Sequence, residues 1–241
     1  MPPAPALNLK PAKPGLGGRE LPEATLRRLP LYLRALVNAH DERHVTISSD
    51  ELASRAGANA AQVRKDLSYL GSYGTRGIGY DVEPLRQHIN RRLGLNREYN
   101  VALVGAGNLG QALGHYRGFA ERGFHVAAVF DTDPDKAGQF IGGAEIHPLS
   151  ELARVVKERN ISMALIATPA SAAQDVANRL VDAGVTSLLN FAPTVLSVDP
   201  RVNVRKVDLA VELQILGYYE HVRAGSGRGS GPAPATGTIS N

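Results

Sequence analysis

The sequence predicts an α/β protein, with an N-terminal winged helix-turn-helix domain followed by a Rossmann-like, doubly wound parallel sheet. Three observations predict it. Residues 22–80 read as three short amphipathic helices and then a glycine-rich hairpin. From Val101 to Val207 short apolar strands alternate with helical segments, the pattern of a parallel sheet wrapped on both faces. Between the first of those strands and the helix after it lies Gly105–Ala106–Gly107–Asn108–Leu109–Gly110, a GxGxxG turn.

Composition narrows the function classes. Of 241 residues 43% are hydrophobic and 21% charged, a globular balance. There is no cysteine, which excludes a disulfide scaffold, a zinc–thiolate site and a thiol nucleophile. No apolar run approaches the ~18 residues of a membrane span, and the Pro/Gly-rich start lacks the apolar core of a secretion signal, so no membrane association and a cytoplasmic location are expected. Charge is uneven: residues 1–98 hold 15 Lys/Arg against 10 Asp/Glu, whereas 99–215 hold 10 against 12. A basic N-terminal part beside a mildly acidic remainder suits a polyanionic partner for the first part only.

In chain order, residues 1–21 read as a flexible arm and 224–241 as a disordered tail, both rich in Pro, Gly and Ala without apolar period. Leu26, Leu29, Leu33, Leu36 and Val37 mark one helical face, with Pro30 expected to delay the helix start to near Leu31. Val45–Ile47 suits a short strand. Ser48 and Glu51 form a capping box for a helix through Arg55, Gly57 suits its left-handed end, and Asn59 caps a third helix, Ala60–Leu70. That helix turns Val63, Leu67 and Leu70 inward. Residues 22–83 are thus a winged-helix domain, 84–98 a linker helix with Pro84 at its start, and 99–208 the Rossmann domain. Its strands are expected at Val101–Val104, His125–Asp131, Glu145–His147, Met163–Ala167, Val185–Asn190 and Asn203–Val207. Helices are expected from the glycine turn to about Arg122, at Ser150–Lys157 and at Ser171–Ala183. Leu209, Leu213, Leu216 and Tyr218/Tyr219 then form a stripe on a last helix.

The glycine turn points to a dinucleotide, NADH/NAD+. Gly105 permits the tight turn, Gly107 lets backbone meet a pyrophosphate, and Gly110 lets helix and strand pack closely, with Ala106, Asn108 and Leu109 completing the loop. Asp131 ends the next strand, 21 positions after Gly110. Its carboxylate can accept from both ribose hydroxyls and repels a 2′-phosphate, favouring NAD(H) over NADP(H). The strand ends Thr168–Pro169 and Asn190–Phe191–Ala192–Pro193 are further candidate coenzyme contacts, because ligands lie at carboxyl ends of strands near the switch point. Asp131, Asp133 and Asp135 alternate as in a calcium loop, but Lys136 and Gly142 stand where such a loop needs Gly and Glu, so no metal is expected.

The third helix is the element of a helix-turn-helix that enters the major groove, where Arg64 and Lys65 can contact guanine or phosphate. Arg76 between wing glycines suits a narrow minor groove. The candidate contacts to double-stranded DNA are Arg28, Arg34, Ser48, Asn59, Gln62, Arg64, Lys65, Ser68, Tyr69, Tyr73, Arg76, Gly77 and Gly79.

Over about 22–222 the sequence resembles the redox-sensing transcriptional repressor Rex family. The resembling stretches are RLPLYLRAL (28–36), QVRKDLSYLGSYGTRGIGY (62–80), VGAGNLG (104–110), FDTDP (130–134), DAGVTSLLNFAP (182–193) and VDLAVELQ (207–214). The resemblance implies a homodimer that represses fermentative and respiratory genes while NAD+ dominates and leaves its palindromic operator when NADH binds. It implies that the helix over 209–223 is exchanged between protomers. It also makes Tyr116 and Asp208 the residues that couple nicotinamide state to domain orientation, with Arg34 competing for that aspartate. Leu209 stands where thermophilic members carry Phe over the nicotinamide. The rival readings are a small NAD-dependent dehydrogenase and a non-catalytic NAD-binding module. No catalytic residue or small-molecule substrate is expected, since one helix and a tail after the sixth strand leave no substrate domain.

Overall fold

The computed structural model describes residues 21–71, 74–75 and 77–226. The arm before Leu21, the wing residues Tyr73 and Arg76, and the tail from residue 227 lie outside the described residues. The chain divides into two compact units after Arg97.

The first unit opens with α1 (Glu23–Asp41), one unbroken helix that contains Pro30. The expected delay at Pro30 does not occur. Pro30 lies on the exposed face, so its missing N–H costs one hydrogen bond on the water side. The buried stripe Leu29, Tyr32, Ala35, Leu36 and Ala39 holds the helix together across it. The inner face is also rotated from the expected one: Val37 is exposed and Tyr32 is fully buried. After β1 (Thr46–Ile47), α2 (Ser49–Ala56) starts on Ser48, whose side chain accepts from the Glu51 N–H, and ends on Gly57 at φ 64°. Asn59 accepts from the Gln62 N–H and starts α3 (Ala60–Tyr69). The Thr75–Gly79 bridge closes a tight turn, and β2 (Tyr80–Asp81) pairs antiparallel with β1. The expected linker helix is α4 (Val82–Arg92), which begins two residues before Pro84. It buries Val82, Leu85 and Ile89 in the same core as Leu29, Leu36, Leu52, Val63 and Leu67, so it is part of this unit's body.

That core encloses a charge. Asp66, fully buried on α3, accepts from the side chains of Thr25, Arg28, Tyr32 and Gln62. Burial opposes its ionisation, but the four donors outweigh burial and hold the carboxyl below its ordinary value. A carboxyl depressed in the folded state stabilises fully above its unfolded pKa, about 4, and loses that contribution as pH falls through the folded value. The stability deficit of Asp66→Asn in thermal unfolding is therefore expected to be largest above about pH 5 and to shrink below about pH 4. A deficit independent of pH would contradict this.

In the second unit β3 (Tyr99–Val104) leads into α5 (Asn108–Gly114), the short α6 (Arg117–Ala120) and β4 (Phe124–Asp131). One helix to Arg122 was expected. The chain instead breaks at His115–Tyr116, where the end of α5 meets the hairpin of β5 (Phe140–Ile141) and β6 (Ala144–Pro148) so closely that a Cβ on Gly114 would lie 2.4 Å from the Ile141 side chain. Next come α7 (Leu152–Glu158), β7 (Met163–Ile166), α8 (Ala170–Asp182), β8 (Ser187–Asn190), β9 (Asn203–Lys206) and α9 (Leu209–Ser226). The sheet order is β5-β6-β4-β3-β7-β8-β9, parallel except for β5 at its edge. Strand order reverses between β3 and β7, the switch point of a doubly wound sheet.

Cover on the two faces is unequal. α7 and α8 bury one face around Phe130, Ile166, Val176 and Leu180. On the other, α5 and α6 cover only the β3–β4 side. No helix joins β8 to β9, and a groove of about 450 Å³ lies open there, lined by Val101, Phe119, Phe124, Met163, Leu165 and Leu189. α9 is correspondingly bare: Leu209, Val211, Leu213, Ile215, Leu216, Tyr218, Tyr219 and Val222 are all exposed, spread over more than half of the helix circumference. α9 also runs to Ser226, past the expected start of the tail at 224. No helix among the described residues is long and apolar enough to cross a membrane.

Candidate coenzyme site and nucleic-acid interface

The glycine turn lies at the switch point, and its packing there requires glycine at positions 105 and 110. Gly105 has φ +103°, and a Cβ on it would lie 2.6 Å from the Ala167 carbonyl at the end of β7. A Cβ on Gly110 would lie 1.8 Å from the Gly105 carbonyl, so α5 approaches the turn only because residue 110 lacks one. Gly107 faces open space, leaving the backbone accessible. Ala106 is buried, while Asn108 and Leu109 are exposed.

Asp131 closes this turn. Its Oδ2 accepts from the Ala106 N–H at 2.7 Å and the Lys136 ammonium at 3.3 Å, and its Oδ1 accepts from the Asp133 N–H at 2.9 Å. Burial works against the charge, and the two backbone donors with Lys136 more than offset it, keeping the carboxyl below its ordinary value. Oδ1 keeps a lone pair, and the Lys136 contact is the longest of the three. Beside Asp131 a cavity of about 320 Å³ opens between Thr132, Pro134, Pro148, Leu149 and Arg179. Lys136 was not singled out as a partner of this carboxylate; its spacing five residues on, across a Pro-containing turn, was the available signal.

The two strand ends differ. Thr168 and Pro169 lie between β7 and α8, and the Thr168 hydroxyl oxygen is buried with no hydrogen-bond partner among the described residues. A buried hydroxyl is rarely left so, which fits a polar ligand at this point. After β8, Asn190 is buried and spent on the turn itself: its amide donates to the Thr194 carbonyl and its oxygen accepts from the Ala192 N–H. The Asn190 side chain thus shapes the turn, with Ala192 buried, Phe191 half-buried and Pro193 exposed. Tyr116 is exposed, edge-on to Phe119. Asp208 pairs with Lys206 at 3.0 Å and accepts from the Val211 N–H as α9 begins, and Leu209 is exposed.

In the first unit α3 turns Arg64, Lys65, Ser68 and Tyr69 to solvent. Arg64 reaches the Ser49 hydroxyl at 2.8 Å, and Ser68 donates to the Lys65 carbonyl. Arg34 is exposed on α1. Gly77 and Gly79, at φ +81° and +100°, form the wing turn. Four of the expected DNA contacts also bond within this unit. Arg28 is tied through Nε and Nη2 to Asp66, and Gln62 donates to the same carboxylate. The side chains of Ser48 and Asn59 accept backbone bonds as helix caps. Asp66 itself was missed. The spacing Val63, Asp66, Leu67, Leu70 places it on the inner face of α3, and that was the signal.

Comparison with known proteins covers both units. Residues 20–68 match the family described as a putative DNA-binding protein N-terminus, and residues 96–194 match the CoA binding domain family. The redox-sensing transcriptional repressor Rex of Streptomyces coelicolor is 55% identical over 213 residues, covering 88% of this chain and 83% of its own. The Rex of Carboxydothermus hydrogenoformans is 52% identical over 199 residues, 83% of this chain and 96% of its own. Among solved structures, RSP in complex with β-NAD+ and operator DNA aligns with a TM-score of 0.80 at 33% identity, over 88% of this chain and 100% of that one. RSP in complex with β-NADH aligns at 0.77 and 33%, over 86% and 97%. With more than half of the aligned residues identical over most of the length of two such repressors, the chain belongs to the Rex family of redox-sensing transcriptional repressors.

Proposed function

We propose that this chain is an NADH-responsive transcriptional repressor, a regulator and not an enzyme, which binds operator DNA as a homodimer in the cytoplasm and is released by NADH. The observation that carries the reading is the pairing, in one chain, of an exposed α3 bearing Arg64 and Lys65 with a switch-point glycine turn closed by Asp131. The complexes known for RSP, with β-NADH and with β-NAD+ and operator DNA, support both halves.

The residues at the switch point fit a dinucleotide: a glycine turn with open backbone at Gly107, a lone pair on Asp131, a partly apolar cavity beside it and the unpartnered Thr168 hydroxyl. Gly105–Gly110 would hold the pyrophosphate and Asp131 the adenosine ribose, with Thr168, Pro169, Phe191 and Pro193 along the rest of the coenzyme. The nicotinamide ring supplies a change of charge, positive when oxidised and neutral when reduced. A pocket walled by the Pro169 and Phe191 turns and by Leu209 of a second copy excludes water and so favours the neutral ring. Tyr116 and Asp208 couple that state to the orientation of the DNA-binding unit, whose Arg34 competes for Asp208.

α9 supplies the dimer. A helix with an apolar face this broad is built to be buried, and a parallel sheet is covered on both faces. The open groove on the sheet and the bare α9 meet these two needs when each protomer lends α9 to the other.

Ligand and DNA then oppose each other reciprocally, each ~1.4 kcal/mol of coupling changing operator affinity tenfold. The test is a mobility-shift titration of a palindromic duplex at fixed salt: NADH is expected to release the protein, and equal NAD+ is not. Equal responses to both defeat the reading. Arg64→Ala is expected to weaken operator binding by about 1–3 kcal/mol, roughly five- to 150-fold, with NADH affinity unchanged in calorimetry.

A further inference from the structure

We propose that Asp66 is the positioning residue of the DNA-reading helix: its carboxylate locks α3 to α1, so that Arg64, Lys65 and Ser68 reach the bases as one preset group. The inference rests on the DNA-binding reading above and adds a residue that touches no DNA.

The carboxylate is fully buried and accepts five hydrogen bonds. Oδ1 takes the Thr25 hydroxyl at 2.9 Å, Arg28 Nη2 at 3.0 Å and Gln62 Nε2 at 2.9 Å. Oδ2 takes Arg28 Nε at 2.6 Å and the Tyr32 hydroxyl at 2.8 Å. Thr25, Arg28 and Tyr32 follow one another along a single face of α1, so one atom group on α3 is gripped over two turns of the other helix. Apolar helix packing tolerates small slides and rotations; the four directional bonds from α1 to this carboxylate do not, and the fifth, from Gln62 on α3 itself, holds the carboxylate in place. Arg64 and Ser68 each stand two residues from Asp66, about 200° around the helix, so the grip lies behind the surface it aims. Bidentate base contacts need that aim, whereas attraction to phosphates does not.

The grip also reassigns Arg28. Its guanidinium is committed to Asp66 through two nitrogens, so its loss acts on DNA through α3 and not through a phosphate.

The test uses the full-length chain, titrated against operator and against a scrambled duplex over a salt series, with NADH affinity and thermal unfolding as controls. Folded Asp66→Asn is expected to lose operator affinity tenfold or more, with scrambled-duplex affinity within twofold, an unchanged salt slope and unchanged NADH binding. Arg28→Gln/Asp66→Asn is expected to lose no more than Asp66→Asn alone, because the two residues act as a unit. If Asp66→Asn fails to fold, the neutral double variant, which leaves no buried unpaired charge, decides by the same readouts. Wild-type operator affinity in the folded variant overturns the proposal. So does a parallel loss on both duplexes with a shallower salt slope, which would place Arg28 on a phosphate. A wild-type chain that does not distinguish operator from scrambled duplex removes the DNA-binding reading itself, and this inference with it.

Discussion

Asp131→Ala is expected to bind NADH at least a hundredfold more weakly and to remain on its operator at NADH concentrations that release the parent chain. The substitution removes a charged acceptor for the ribose hydroxyls, and hydrogen bonds to a charged group contribute about 1.5–3 kcal/mol each. It also releases the Ala106 and Asp133 N–H groups that this carboxylate holds, loosening the turn that would carry the pyrophosphate. Both effects act on coenzyme binding, and neither touches α3. Calorimetry with NADH and a mobility shift on the same preparation separate the outcomes. Parent-like NADH affinity contradicts the placement of the ribose, and immediate loss of DNA binding signals misfolding instead.

Leu213→Asp/Leu216→Asp is expected to turn a dimer into monomers and to lower operator affinity a hundredfold or more. Each fully buried leucine contributes about 1.5–3 kcal/mol, and a symmetric exchange counts both substitutions twice. Two carboxylates in an apolar groove add a desolvation cost. A monomer keeps one α3 and reads one half-site. Sedimentation equilibrium gives the mass, and thermal unfolding shows that each unit survives, since both side chains are exposed within their own chain. A variant that stays dimeric contradicts the placement of α9 in the groove.

Local signals in the sequence carried much of this fold. Ser48, Gly57 and Asn59 act on neighbouring backbone, so cap chemistry alone marks α2 and α3. Of the six parallel strands, β3, β4, β7 and β8 contain apolar runs legible at the same scale. What was not legible depends on partners distant in sequence. Pro30 stays helical because the tertiary core grips α1 on both sides of it. The break after α5 comes from a hairpin almost thirty residues on. Arg28 reads as a surface cation until Asp66, 38 residues away, is brought against it. At the candidate coenzyme site the glycine turn and Asp131 announce themselves by spacing, whereas the internal bonds of Asn190 and the orphan hydroxyl of Thr168 exist only once β7 and β8 lie side by side.

The central claim is that coenzyme redox state sets the geometry between two DNA-reading units, and a distance between them tests it most directly. Because the chain has no cysteine, Ser54→Cys on the exposed side of α2 gives one spin label per protomer without blocking α3. The account predicts one label-to-label distance for the operator complex, with NAD+ present, and a distinctly different one when NADH is bound. The same distance distribution with NADH as on operator DNA would contradict it.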